Sequence, residues 1–176
     1  MAGDAEWLKE HIRDVLDFPE PGIVFKDITP LLADPKAFRF VLDRFAEQFA
    51  GENLDKIVGI ESRGFVFGAP VADRLELPFV PVRKPGKLPH EVEQQEYALE
   101  YGTDLIEIHR DALEKGDRVA VIDDLIATGG TAGATARLVE RLGAEVVGFA
   151  FLIELAFLPG REKLGEHPMT ALIAYD

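Results

Sequence analysis

Residues 119–132 read Val-Ala-Val-Ile-Asp-Asp-Leu-Ile-Ala-Thr-Gly-Gly-Thr-Ala. The first four are apolar and three of them are β-branched, the composition of a buried strand in a parallel sheet. Asp123 and Asp124 follow at the expected strand end, and open α/β sheets place their ligands beyond the carboxyl ends of strands. Ala127, Thr128, Gly129, Gly130 and Thr131 then run into a helical pattern over residues 132–142. A small-residue loop at a helix N-terminus aims bare N–H groups at one point, with the positive end of the helix dipole behind them, which makes a phosphate cradle. Two carboxylates repel a phosphate, so they suit a neutral or cationic part of the same ligand. Ribose hydroxyls with Mg²⁺ close by fit that role, and the ligand reads as a sugar phosphate.

Two other phosphate loops are excluded by spacing. A Walker A loop needs Gly-Lys-Ser/Thr, but Gly130 is followed by Thr131; a dinucleotide fingerprint needs G-x-G-x-x-G, which Gly129, Gly130 and Gly133 do not supply. The plainer alternative is a strand-to-helix turn with two solvated acids. Against it, adjacent acids at a strand end repel each other unless something bridges them.

A chain of 176 residues with 47% hydrophobic content is long enough for one good core, so a single domain over residues 1–176 is expected. It has no cysteine, hence no disulfide or thiolate metal site, which fits a reducing cytoplasm. No apolar run approaches the ~20 residues that cross a bilayer, and the N-terminus has neither a basic nor an apolar targeting segment. A soluble cytoplasmic protein is expected. A net charge of −13 argues against nucleic acid or an anionic membrane as partner. The four histidines are scattered without ligand spacing, so no direct metal site is assigned.

Trp7, Ile12, Val15 and Leu16 predict a helix over residues 4–17, and Pro35 opens a second with Phe38, Val41, Leu42, Phe45 and Phe49 at helical spacing. Strands are predicted at 56–60, 79–83, 118–123, 145–155 and 170–175, with a helix running through Leu75 after the first. This alternation implies an α/β fold with a mostly parallel central sheet flanked by helices. Residues 1–35 precede the sheet and are free to cover one edge of the site. Residues 84–108 are a polar insertion with turn chemistry at Gly102-Thr103-Asp104, which reads as a hairpin lid. Glu61-Ser62-Arg63-Gly64, after the first core strand, faces the same crevice as the acid pair; Arg63 there either holds a second anion or is a surface ion-pair partner.

The strand, acid pair and Ala-Thr-Gly-Gly-Thr loop resemble the phosphoribosyl-pyrophosphate (PRPP) signature of type I phosphoribosyltransferases. Further stretches resemble the adenine phosphoribosyltransferase family: residues 18–30 (Phe-Pro-Glu-Pro-Gly-Ile-Val-Phe-Lys-Asp-Ile-Thr-Pro), 59–65 (Gly-Ile-Glu-Ser-Arg-Gly-Phe), 83–89 (Arg-Lys-Pro-Gly-Lys-Leu-Pro), 97–102 (Tyr-Ala-Leu-Glu-Tyr-Gly) and 160–164 (Gly-Arg-Glu-Lys-Leu). They cover nearly the whole chain in family order. The resemblance implies the type I phosphoribosyltransferase fold with an N-terminal hood (1–35) and a mobile β-hairpin lid (84–108). It implies transfer of phosphoribose from PRPP to adenine, giving AMP and pyrophosphate in purine salvage, with Mg²⁺ carried mainly by PRPP, by a homodimer.

The same resemblance distributes roles. Ala127 to Thr131 take the 5′-phosphate, Asp123 and Asp124 the ribose hydroxyls, and Ser62 and Arg63 the pyrophosphate, with a cis peptide between Glu61 and Ser62. Arg83, Lys84 and Lys87 bind the pyrophosphate, Arg83 and Lys87 in part from the neighbouring subunit; the alternative from sequence alone is a solvated basic cluster. Val24 and Lys26 read adenine through the backbone carbonyl and amide, Phe25 stacks on it or is plain core, and Leu125 and Leu155 line its pocket. Glu100 is the proton-transfer group, although periodicity alone makes it a solvent-facing strand residue; Glu107 is the alternative. Two competing functions remain open: a phosphoribosyltransferase for hypoxanthine, guanine or xanthine, and a non-catalytic PRPP-sensing regulator, which needs a basic surface that this chain lacks.

Overall fold

The centre of the fold is a five-stranded sheet in the order β4-β3-β7-β8-β9 with every neighbouring pair parallel: β3 Lys56–Ile60, β4 Phe79–Val82, β7 Arg118–Ile126, β8 Glu145–Leu155 and β9 Met169–Tyr175. A computed structural model describes residues 4–98 and 102–176. The middle strand is β7, whose residues Val119, Ala120, Val121 and Ile122 are wholly buried, as their near-continuous apolar run requires of a strand covered on both faces. One face packs against α4 (Gly130–Arg141) and the hairpin of β5 (Val92–Ala98) and β6 (Thr103–His109); the other packs against α2 (Pro35–Phe49) and α3 (Arg63–Arg74).

Helix α2 starts where its sequence says. Asp34 caps it, its side chain accepting hydrogen bonds from the amides of Lys36 and Ala37 (2.8 and 2.9 Å), and Pro35 takes the first-turn position where no amide is needed. Ala37, Val41, Leu42, Phe45 and Phe49 form its buried stripe. Before it, the short helix α1 (Thr29–Ala33) buries Leu31.

The helix predicted over residues 4–17 is not formed. A 3₁₀ helix runs only from Glu6 to His11, and the chain then becomes strand β1 (Arg13–Leu16), paired antiparallel with β2 (Val24–Asp27). The helical spacing of apolar residues was deceptive because Leu8 turns into the core while Leu16 stays 70% exposed. Pairing with β2 satisfies the backbone instead. The ribbon β1–β2 is a sheet of its own, and it shares no ladder with the main sheet.

The hairpin forms as expected, in register from Val92↔His109 to Ala98↔Thr103. One side of it is part of the core, from Ile108 and Ile106 to Tyr97 near the turn end, all buried. Arg141 on α4 holds β5, donating to Glu93 Oε1 (3.0 Å), the Gln94 carbonyl (2.8 Å) and Gln95 Oε1 (2.5 Å).

Candidate active site

The sheet order reverses between β3 and β7. From β3 the chain crosses outward to β4, then returns to β7 on the other side and continues outward through β8 and β9. Such a switch point opens a crevice beyond the carboxyl ends of the two strands, because their following loops diverge to opposite faces. A cavity of about 490 Å³ lies there, lined by the loop after β3 (Glu61, Ser62, Arg63), by residues 123–132 and by Lys84.

The phosphate-loop candidates Ala127, Thr128, Gly129, Gly130 and Thr131 all line this cavity. Gly129 is in the left-handed region (φ 74°), so the loop turns there directly into α4. The loop is also clamped from behind. A Cβ on Gly129 would strike the carbonyl of Gly160 and come within 3.0 Å of Lys163 Cβ, and a Cβ on Gly160 would strike the carbonyl of Ala127. The 3₁₀ helix Gly160–Leu164 is thus the loop's backing. It is fastened in turn by Arg161, whose guanidinium donates two hydrogen bonds to Glu154 at 2.5 and 2.6 Å. Residues 160–164 carry no local pattern that announces this role, because close contacts between glycines of distant segments leave none in sequence.

The acid pair lies inside β7 and not after it, because β8 continues to pair with it: Asp123↔Phe151, Leu125↔Ile153 and Ile126↔Glu154. Asp123 Oδ1 accepts from the Asp124 amide at 2.8 Å. Asp124 is buried, and Arg63 Nε stands 2.9 Å from its Oδ2. That approach pairs the charges without hydrogen-bond alignment, so Asp124 Oδ2 has no hydrogen-bond partner among the described residues. Burial and the neighbouring Asp124 charge push Asp123 well above the usual carboxylate range. Burial also raises Asp124, opposed by Arg63. A buried acceptor that is ion-paired but not hydrogen-bonded, beside a second acid reluctant to share negative charge, forms a site that gains from hydroxyl donors.

Of the pyrophosphate candidates, Ser62, Arg63 and Lys84 reach the cavity. The peptide between Glu61 and Ser62 is cis. Glu61 organises the cations: its carboxylate accepts from the Lys84 amide (2.9 Å) and from Arg83 Nε (3.1 Å). Although burial raises it, these donors hold the Glu61 carboxyl below its ordinary value. Lys84 Nζ binds Tyr97 Oη (3.0 Å) and Asp104. Arg83 is turned back onto Glu61 and the Lys87 carbonyl (3.2 Å), and Lys87 is exposed; neither lines the cavity.

On the base side, Leu125 lines the cavity, whereas Val24, Phe25, Lys26 and Leu155 do not. Phe25 is joined to it through Arg63, whose guanidinium carbon stands 4.9 Å from the ring centroid. Leu155 ends β8 opposite Tyr175. Glu100 lies outside the described residues. Glu107 is buried with both oxygens occupied, by the Gly86 amide (3.0 Å) and Gln94 Nε2 (2.6 Å).

A glycine loop at a helix N-terminus, an acid pair and the loop after β3 border one cavity at the switch point, and residues 31–167 match the model of the phosphoribosyl transferase domain. An adenine phosphoribosyltransferase of Gloeobacter violaceus is 60% identical over 169 residues, covering 96% of this chain and 99% of the relative. The chain belongs to the adenine phosphoribosyltransferase family. The crystal structure of the Rhodothermus marinus adenine phosphoribosyltransferase superposes with a TM-score of 0.94 at 55% identity, over 99% of this chain and 100% of that one. The Saccharomyces cerevisiae member, complexed with D-2,5-dideoxy-2,5-imino-altritol 1,6-bisphosphate and adenine, gives 0.92 at 44% identity over 98% and 100%. As in the sequence reading, the fold is therefore a type I phosphoribosyltransferase with a mostly parallel sheet. Among the described residues, no helix of this family member is long and apolar enough to cross a membrane.

Proposed function

We propose that the protein transfers the 5-phosphoribosyl group of PRPP to adenine, giving AMP and pyrophosphate. The carrying observation is the one cavity bordered at once by a glycine loop at a helix N-terminus, a buried acid pair and the loop of Ser62 and Arg63 after β3. PRPP has a phosphate, a diol and a pyrophosphate in that order, and the three features match them.

In this reading the amides of residues 127–131 hold the 5′-phosphate and the dipole of α4 supports its charge. Asp123 and Asp124 accept from the ribose hydroxyls. Ser62, Arg63 and Lys84 draw charge off the pyrophosphate as its bond to the anomeric carbon breaks, and adenine N9 forms the new bond from the opposite face. The proton lost by adenine needs an acceptor, a role given to Glu100 by resemblance. Val24 and Lys26 read the base through the backbone, with Phe25 as the stacking face and Leu125 and Leu155 at its edge. Alignment and a fixed electrostatic environment supply the rate, since no covalent nucleophile is required.

Mg²⁺ fits as a companion of the substrate. Among the described residues no group of three or more His, Cys, Asp or Glu side chains is placed to hold a metal, and Mg²⁺ keeps several waters and binds substrate phosphates readily. It would ride on PRPP oxygens beside the acid pair, and when bound it neutralises charge on the leaving group.

Residues 1–35 are proposed as the hood and 84–108 as the cover that excludes water, anchored where Ile106 and Ile108 are buried. A homodimer in the cytoplasm completes the reading: Lys87 is exposed and outside the lining of this chain's own cavity, which leaves it available to a neighbouring one, while Arg83 is engaged by Glu61. The deciding assay supplies adenine, PRPP and Mg²⁺ and follows AMP and pyrophosphate. Turnover of hypoxanthine or guanine in preference to adenine would refute the base assignment, and binding of PRPP without turnover of any purine would refute the enzyme.

A further inference from the structure

Strand β2 carries the base-reading backbone yet belongs to a two-stranded ribbon, a unit that is marginal without outside support. Its outer side is exposed, with Leu16 and Val24 at 70% and 44%. Successive side chains on a strand point to opposite faces. Phe25 turns to the cavity side, where it meets Arg63, and Lys26 turns the other way.

The Lys26 side chain is only 11% exposed. Its ammonium stands 2.7 Å from Asp14, the residue directly across the ribbon, and 3.9 Å from the centre of the Tyr175 ring. Lys9 stands over the same ring at 5.1 Å. Tyr175 is itself fixed in the main sheet: it pairs with Leu155, and its carbonyl accepts from the Ala156 amide at 2.8 Å. Burial, with Asp14 and Glu6 nearby, pushes its phenol above the ordinary value, and the face of a tyrosine ring attracts a cation standing over it.

We propose that Tyr175 is a positioning residue for nucleobase recognition: its ring face, by holding Lys26, sets the place of the base-reading strand over the cavity. This rests on the proposed reading of residues 24–26.

The test compares Tyr175→Leu, which removes the ring, with Tyr175→Phe, which keeps it. In Tyr175→Leu the KM for adenine should rise about five- to thirtyfold, with kcat at saturating adenine and KM for PRPP within about twofold of wild type. Tyr175→Phe should restore the adenine KM. Amide hydrogen exchange, which needs no turnover, should show protection lost over residues 13–27 in Tyr175→Leu alone. An unchanged adenine KM, a parallel rise in PRPP KM, unchanged exchange in the ribbon, or failure of Phe to rescue would each overturn the proposal. A wild-type protein inactive on adenine would refute the proposed function instead, and the exchange comparison would still decide whether Tyr175 anchors the strand.

Discussion

The guanidinium of Arg63 stands 4.9 Å from the centre of the Phe25 ring, on the side where the purine is proposed to stack. The same side chain lies 2.9 Å from Asp124 Oδ2, the acceptor proposed for ribose. One cation therefore covers two parts of the ligand site, and pyrophosphate offers it a more highly charged partner. Arg63→Ala should weaken PRPP binding by about tenfold or more, the scale of a lost charge-assisted hydrogen bond. Binding of adenine alone should stay equal or tighten a fewfold, because the ring is uncovered. Calorimetry with each ligand separately checks this. Equal weakening of both would mean that Arg63 supports the base as well and is not displaced from it.

Asp123 and Asp124 make stability depend on pH in a direction opposite to most carboxylates. Both are raised above their ordinary value in the folded protein. The unfolded chain loses these protons first, near pH 4, so the folded state binds more protons above that point. Stability from this pair is therefore present at low pH and declines as pH rises through the raised values. Asp123→Asn should raise Tm at pH 7 to 8, by roughly 2–4 °C for each kcal/mol relieved, and weaken PRPP binding. Thermal melts from pH 4 to 8 should show the difference between variant and wild type shrinking toward acid. A pH-independent difference would exclude charge as its origin.

Much of this could be read in the chain. The strands 56–60 and 145–155 are legible because buried parallel strands leave unbroken apolar runs, and the turn of residues 127–131 into α4 because small residues and glycine precede a helical pattern. What escaped was set by distant partners. Arg13 to Leu16 sat in a helical pattern until pairing with β2 made it a strand, and the acids of β7 stayed in the strand because β8 kept pairing with them. The contacts of Glu61 with Arg83, of Arg161 with Glu154 and of Tyr175 with Lys26 join residues on different elements, and no local spacing encodes them.

Gly160→Ala tests the backing of the phosphate loop. The new Cβ would strike the Ala127 carbonyl and approach Ile126 Cγ1 to 2.9 Å, and neither can yield without moving the loop. Overpacking of this kind costs about 1–3 kcal/mol. A drop in Tm should accompany a rise in PRPP KM of about tenfold, with adenine KM less affected. Loss of stability with an unchanged PRPP KM would show that the 3₁₀ helix supports the fold and not the loop.

Glu100 and Glu107 can be separated as proton-transfer groups by comparing their glutamine variants. Glu107 is buried and both its oxygens are engaged, tying Gly86 and Gln94 together where Arg83 bridges to the hairpin. It has no free oxygen to offer a substrate. Glu107→Gln should therefore lower Tm, since one acceptor becomes a donor facing an amide, and leave single-turnover kcat within a few-fold of wild type. Glu100→Gln should lower the single-turnover rate by ~10²–10⁴, the usual contribution of general acid–base catalysis, with little change in PRPP binding or Tm. Single-turnover conditions are needed because slow product release can hide a loss in the chemical step. If Glu107→Gln shows the larger fall in rate at unchanged stability, the assignment of the two glutamates is reversed. If neither lowers the rate, proton removal from adenine proceeds without a side-chain base.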